Sequence, residues 1–205
     1  MTKEFTCRDC GKRFTLAPSI LARYPNWTPG QCLACRKGGP ATSEPGLAPA
    51  EALSRFHGGP DTGVFTDGCC EGNPGPGGWG AVKVISGEIV EERRGRHPDT
   101  TNNRMELQAL IEGYKMLQEE DELPVFSDSD LCVKTINTWA AAWAQNGWKR
   151  GKKREEVKNL DLVKELFSLA ESRPNATLQW IKAHEGYRWN EYADALSRAY
   201  QQEGT

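Results

Sequence analysis

Four acidic side chains sit in contexts suited to metal-assisted hydrolysis. They are Asp67 in Thr66-Asp67-Gly68, Glu106 in Asn103-Arg104-Met105-Glu106-Leu107, Asp128 in Ser127-Asp128-Ser129, and Asp194 in Asn190-Glu191-Tyr192-Ala193-Asp194. Hard cations such as magnesium take oxygen ligands and keep several waters. Two such ions about 4 Å apart can hold the attacking and leaving oxygens of a phosphodiester in line. Clustered carboxylates would repel one another without that positive charge. Taken singly, each acid reads as a helix cap, a turn former or a surface charge, so the chemistry depends on their meeting.

Cysteine supplies the second constellation. Four of the seven cysteines form two pairs, Cys7-Arg8-Asp9-Cys10 and Cys32-Leu33-Ala34-Cys35, with 21 residues between them. Two such turns present four thiolates to one tetrahedral zinc ion, and four thiolates leave no open position for catalysis. Gly11 suits the tight turn, and Phe14, Tyr24 and Trp27 could form a miniature core. A segment of about 40 residues rarely folds on its apolar area alone, so a metal staple is physically needed. Two disulfides are the competing reading, which an intracellular chain disfavours. Residues 1–37 are thus expected to form a zinc-ribbon-like module. Residues 1–40 carry seven basic side chains against two acidic ones. An accessory nucleic-acid contact or a protein contact both suit that balance, and the protein partner in the latter case is unknown.

The elements that must position these groups follow from composition and periodicity. The chain has 205 residues, 38% hydrophobic and 26% charged, with a net charge of −2. That suffices for one ordinary domain plus something small, and the net charge alone does not mark a polyanion binder. No apolar run is long enough for a membrane helix, and the N-terminus lacks a secretory pattern, so a cytoplasmic monomer is expected. Residues 38–62, punctuated by glycine and proline, read as a linker with one short helical stretch over 50–56. From Gly63 onward, strands are expected at 64–66, 79–86, 88–96, 123–126 and 177–183. Helices are expected from about 102 to 117, at 131–143 and 160–170, and through the stripe Trp189, Tyr192, Ala193, Leu196 and Tyr200. Thr100, Thr101 or Asn102 would cap the first of these. The order predicts an α/β fold, a mixed sheet covered by helices, with Asp67 and Asp128 at the carboxyl ends of strands.

Over residues 63–200 the chain resembles type 1 ribonuclease H. The resemblance is carried by Thr66-Asp67-Gly68-Cys69-Cys70, Gly72-Asn73-Pro74-Gly75-Pro76-Gly77-Gly78-Trp79-Gly80, and Thr100-Thr101-Asn102-Asn103-Arg104-Met105-Glu106-Leu107. Ser127-Asp128-Ser129, Val157-Lys158-Asn159-Leu160-Asp161-Leu162 and the stretch from His184 to Leu196 continue it in the same order.

It implies a ribonuclease H-like five-stranded mixed sheet over residues 63–205. It also implies hydrolysis of the RNA strand of RNA–DNA hybrids with two magnesium ions (manganese as an alternative), leaving 3′-hydroxyl and 5′-phosphate ends. Asp67, Glu106, Asp128 and Asp194 fall on the metal-binding positions, and His184 on a mobile histidine that assists proton transfer or product release. Cys70, Asn73, Asn102, Asn103 and Glu106 fall where the RNA strand or the hybrid minor groove is touched. Thr101 and Asn146 fall where a DNA phosphate is gripped.

The stretch 139–158 resembles a basic protrusion, with Trp139, Trp143 and Trp148 toward the deoxyribose strand and Lys149, Arg150, Lys152 and Lys153 toward phosphates. Trp139 and Trp143, four residues apart, suit core packing equally well. Asp99 departs from the pattern, where an arginine is common. A hybrid-binding module that does not cleave, and another nuclease or transferase on the same fold, are the alternative readings.

Overall fold

The computed structural model describes residues 4–6, 13–16, 28, 30 and 47–201. The chain divides into two units, Met1–Pro45 and Gly46–Thr205. In the first, strands β1 (Glu4–Thr6) and β2 (Arg13–Thr15) pair antiparallel, with Phe5 opposite Phe14 and their rings 5.8 Å apart. Cys7, Cys10, Cys32 and Cys35 lie outside the described residues.

The second unit begins earlier than the glycine and proline pattern suggests. Helix α1 (Pro49–Arg55) has proline in its first turn, Glu51 near its start and Arg55 at its end, all favourable to a short helix. Its Ala52 is fully buried. The segment 38–62, read from sequence as linker, contains the short helix expected at 50–56, and that helix packs into the folded body.

Five strands form one sheet in the order β5 (Glu88–Thr100), β4 (Gly75–Ile85), β3 (Gly63–Cys70), β6 (Pro124–Ser127) and β9 (Thr177–Trp180), with β3 at the centre. β3, β4 (Gly75–Ile85) and β5 (Glu88–Thr100) form an antiparallel meander. Helix α2 (Asn102–Lys115) leads to β6 (Pro124–Ser127), which lies parallel to β3. Helix α3 (Asp130–Lys134), a π-helical turn (Thr135–Trp139) and helix α4 (Ala140–Gln145) run on one from another and cover the helical stretch expected at 131–143. A small hairpin of β7 (Lys149–Arg150) and β8 (Glu155–Glu156) precedes helix α5 (Leu160–Glu171). Strand β9 (Thr177–Trp180), parallel to β6, and helix α6 (Arg188–Arg198) complete the fold.

The two-residue period of β3 divides its side chains between the faces of the sheet. Val64 joins a core built with α2, α5 and the 131–143 helices, whereas Phe65 joins one built with α6 and α1. The same alternation turns Asp67 toward α6 and Gly68 toward α2. Three strands exceed their expected bounds. β3 continues past Asp67 to Cys70, so Asp67 lies within the strand rather than at its end. β4 starts in the glycine run at Gly75, and β5 continues through Pro98, tolerated because β5 is an edge strand. β9 is shorter than expected and stops at Trp180. Among the described residues, no helix is long and apolar enough to cross a membrane.

Candidate active site

Close backbone packing brings the acids together. A side chain at Gly68 would overlap the Glu106 amide nitrogen, so only glycine lets α2 lie directly on β3 there. On the opposite face, a Cβ at Gly80 would meet Leu196 Cβ at 2.5 Å and the Ala193 carbonyl at 2.7 Å, so α6 lies directly on β4. These two contacts deliver Glu106 and Asp194 to the neighbourhood of Asp67. Asp128 follows the last residue of β6, parallel to β3, at a strand end as expected.

Ligand oxygens of Asp67, Glu106 and Asp128 all lie within 4.8 Å of one another. Asp67 and Glu106 are almost completely buried, at 5% and 6% exposure. Burial, followed by the charges of Asp194 and Asp128, pushes the Asp67 carboxyl up to about 8. A hydrogen bond from Ser197 and the nearby Arg198 oppose that rise. Burial, then Asp67 and Asp128, raises Glu106 well above the ordinary range. The Gly68 amide and a 3.3 Å hydrogen bond from Asn102 Nδ2 to Glu106 Oε1 offset this only in part. Asp128 is raised by burial and by Asp194, against a hydrogen bond from Asn190 and the positive influence of His184.

Asp194 stands beside this trio rather than in it. Arg198, one helical turn on, donates from Nε to Asp194 Oδ1 at 2.8 Å. Its charge still bears on both Asp67 and Asp128.

The donor set fits a hard divalent cation. Three carboxylates converge, two of them buried, and Glu106 Oε2 is buried without a hydrogen-bond partner. A buried carboxylate oxygen with no donor is costly, and a cation is the partner that such a set of oxygens suits.

The remaining candidates fall in three places. Around the N-terminus of α2, Asn73 Oδ1 accepts the Asn102 amide at 3.0 Å. Thr101 is the N-cap, without a side-chain cap bond, and Cys70 Sγ lies 3.3 Å from the Thr100 carbonyl. His184 lies in the loop between β9 and α6, exposed and close enough to Asp128 to influence it.

The third place is a cleft of about 740 Å³ whose lining includes Asn103, Trp139, Trp143, Arg150, Lys152 and Lys153. Trp139 and Trp143 lie 5.8 Å apart, Trp139 at 36% exposure and Trp143 half-buried against the core, so the pair serves both packing and surface. Lys149 is held by Glu156 at 2.9 Å, and Asn146 Nδ2 donates to the Ala142 carbonyl at 2.7 Å.

Three contacts escape a reading built on motif acids. Ser197, fully buried, donates from Oγ to Asp67 Oδ2 at 2.7 Å. Asn190, 3% exposed, bonds Asp128, and its Oδ1 has no partner. Trp180 Nε1 donates to the Asp128 carbonyl at 3.0 Å. Helical spacing could have revealed two of them, because Ser197 and Asn190 lie three residues after and four before Asp194 on one face of α6.

Comparison with known proteins agrees with this geometry. A sequence model of the RNase H family matches residues 60–202. A Ribonuclease H of Pseudomonas fluorescens is 46% identical over 134 residues, covering 65% of this chain and 87% of that protein. One from Jannaschia sp. is 46% identical over 144 residues, covering 68% of this chain and 90% of that protein. Among solved structures, LC9-RNase H1, described as a type 1 RNase H with the type 2 active-site motif, matches with a TM-score of 0.58 and 29% identity, covering 73% of this chain and 76% of that one. LC11-RNase H1 in complex with RNA/DNA hybrid matches with a TM-score of 0.50 and 27% identity, covering 66% of this chain and 93% of that one. With the acids on the strands and helices described, and with relatives of this similarity, the chain belongs to the ribonuclease H family, a family of enzymes.

Proposed function

We propose that the chain is an endonuclease that hydrolyses the RNA strand of RNA–DNA hybrids with magnesium ions at the acidic site. The carrying observation is the meeting of Asp67, Glu106 and Asp128 within 4.8 Å, with Glu106 Oε2 buried and unpartnered. These three would hold the metal, and Asp194 would join them on release from Arg198. Two bound divalent ions would supply positive charge that activates a water and stabilises the departing oxygen. Water oxygen bonds to phosphorus, the bond from phosphorus to the 3′-oxygen breaks, and the products are a 3′-hydroxyl and a 5′-phosphate.

The chain's own residues then have distinct tasks. His184, beside Asp128, handles a proton at the departing or entering oxygen, or helps the product leave, the work an imidazole does near neutral pH. Asn73, Asn102 and Asn103, with Cys70 and Glu106, face the RNA strand, whose 2′-hydroxyl offers both a donor and an acceptor. Thr101 and Asn146 meet a DNA phosphate. Trp139 and Trp143 offer aromatic faces to the DNA strand, and Lys149 with its neighbours offers charge to its phosphates.

The N-terminal segment is proposed as a zinc-ribbon-like accessory that binds nucleic acid. One structural zinc would be held by Cys7, Cys10, Cys32 and Cys35. The described strands support this reading, since β1 and β2, which flank Cys7 and Cys10 in sequence, pair antiparallel. A cytoplasmic monomer completes the proposal, on composition alone.

Labelled RNA–DNA hybrid with magnesium tests the assignment. The parent chain is expected to cut the RNA strand, and Asp67→Asn to bind hybrid without cutting. Binding by the parent with no cleavage would refute the enzymatic reading.

A further inference from the structure

Helix α1 and the turn after it precede residues 60–202, the span matched by the family model, yet they pack against the loop that carries His184. The chain leaves α1 extended at Phe56, whose ring joins the core formed by Trp189, Tyr192 and Leu196. Phe56 also covers Gly186, where a Cβ would meet Phe56 Cδ1 at 3.7 Å. The Gly58 carbonyl accepts the Arg188 amide at 3.2 Å. The Tyr187 side chain lies so closely on Gly59 that a Cβ there would meet its Cβ at 2.9 Å and its ring at 3.0 Å. Residues 56–59 thus touch 186, 187 and 188 consecutively.

The loop they touch has an unusual backbone. His184 has φ +56° and Gly186 φ +76°. Left-handed backbone at a non-glycine residue is sparsely populated and persists only where the surroundings fix it. Inside the loop, the fixing contacts are an exposed Lys182–Glu185 ion pair and a 3.3 Å bond from the Gly186 amide to Glu191 Oε1. The first is solvent-screened and contributes little. Residues 56–59 add to the second an apolar wall against Gly186 and Tyr187 and a backbone bond to Arg188.

We infer that residues 49–59 form a brace, with Phe56 as its positioning residue, that holds His184 in working register with Asp128. The inference rests on the reading of His184 as the proton-handling group. It assigns to a segment outside the family-matched span a part in the reaction through contacts it makes within its own folded unit.

Full-length chains carrying Phe56→Ala, Phe56→Leu, His184→Ala and the Phe56→Ala/His184→Ala pair test it on hybrid with magnesium. Phe56→Ala is expected to lower kcat on the order of tenfold, the scale of a small misplacement of a proton-handling group, with KM unchanged. Phe56→Leu should recover most of that loss. In the His184→Ala background, Phe56→Ala should lower kcat no further.

An NMR readout covers the case in which Phe56→Ala unfolds, using Phe56→Val, which trims the ring further than leucine without emptying the site. The Cε1–H resonance of His184 should move away from the parent in folded Phe56→Val and stay near it in Phe56→Leu. An equal loss in both backgrounds, a loss confined to KM, or a His184 resonance unmoved in Phe56→Val would overturn the brace. Full activity of His184→Ala would instead overturn the role given to the histidine, and the brace with it.

Discussion

The Ser197 hydroxyl lies 2.7 Å from Asp67 Oδ2 and 2.9 Å from the Asp194 carbonyl, and its one proton serves one of them at a time. Donation to Asp67 stabilises the carboxylate and is the largest influence holding its pKa down against burial. Ser197→Ala removes that donor, and a hydrogen bond to a charged group is worth about 1.5–3 kcal/mol. Asp67 should then hold its proton to higher pH, moving the acid limb of the kcat/KM profile upward by on the order of one pH unit. Ser197→Thr should restore the limb.

The same acids tie stability to pH. A carboxyl raised in the folded state stabilises fully below its unfolded value, 3.8 for Asp67, and loses that contribution as pH climbs through about 8. Glu106 and Asp128 shift in the same direction. Metal-free protein should therefore melt at lower temperature at pH 8 than at pH 5. Magnesium, which binds the ionised and folded form, should raise the melting temperature much more at pH 8. Asp67→Asn should stabilise the metal-free protein at pH 8 and shrink the magnesium increment. Thermal melts with magnesium or chelator at the two pH values check all three outcomes.

At the level of the element, the site depends on how closely α2 sits on β3. Gly68→Ala would push the helix off the strand by its backbone, a form of overpacking that costs about 1–3 kcal/mol. Glu106 would move with it. A lower urea midpoint accompanied by a fall in kcat is the expected result, and unchanged activity would show that α2 can shift without carrying Glu106 out of reach.

Much of this arrangement is legible in the sequence, because α2, α5 and α6 bury apolar stripes at helical spacing and β6 is a short apolar run between turns. The ends of β3 and β4 are not. Residues 75–78 carry only glycine and proline, so no alternation marks them as a strand, and Cys69 and Cys70 lie beyond the strand expected at 64–66 although they pair with Gly78 and Gly77. Helix α1 is legible as the short helical stretch at 50–56, but the glycines and prolines around it hide that it packs into the folded body. The acids are recognisable through their neighbouring words. The Asp194–Arg198 ion pair has the i,i+4 spacing of a helical pair and could be read from the sequence, whereas the bond from Ser197 to Asp67, 130 positions apart, needed the geometry.

For the whole molecule, the question is what the N-terminal unit adds to a catalytic unit that already holds every acid of the site. Residues 1–45 contribute none of Asp67, Glu106, Asp128, Asp194 or His184, so their removal leaves the reacting groups in place. They do contribute charge, with seven basic side chains against two acidic ones over residues 1–40. A zinc ion with four thiolates would subtract about two charges and leave the segment mildly basic. Basic side chains that neutralise phosphates release counterions, so they strengthen binding and steepen its salt dependence together. A chain starting at Gly46, shown by circular dichroism to be folded, should keep its kcat on hybrid. Its affinity should fall, and the slope of log affinity against log salt should flatten by roughly one unit for each phosphate that the segment had neutralised. Metal analysis of the full chain should find one zinc, and none in the shortened one. An unchanged salt slope in the shortened chain would exclude nucleic acid as the segment's partner and leave protein binding as its role. Loss of kcat in a folded shortened chain would mean that the segment reaches the site itself.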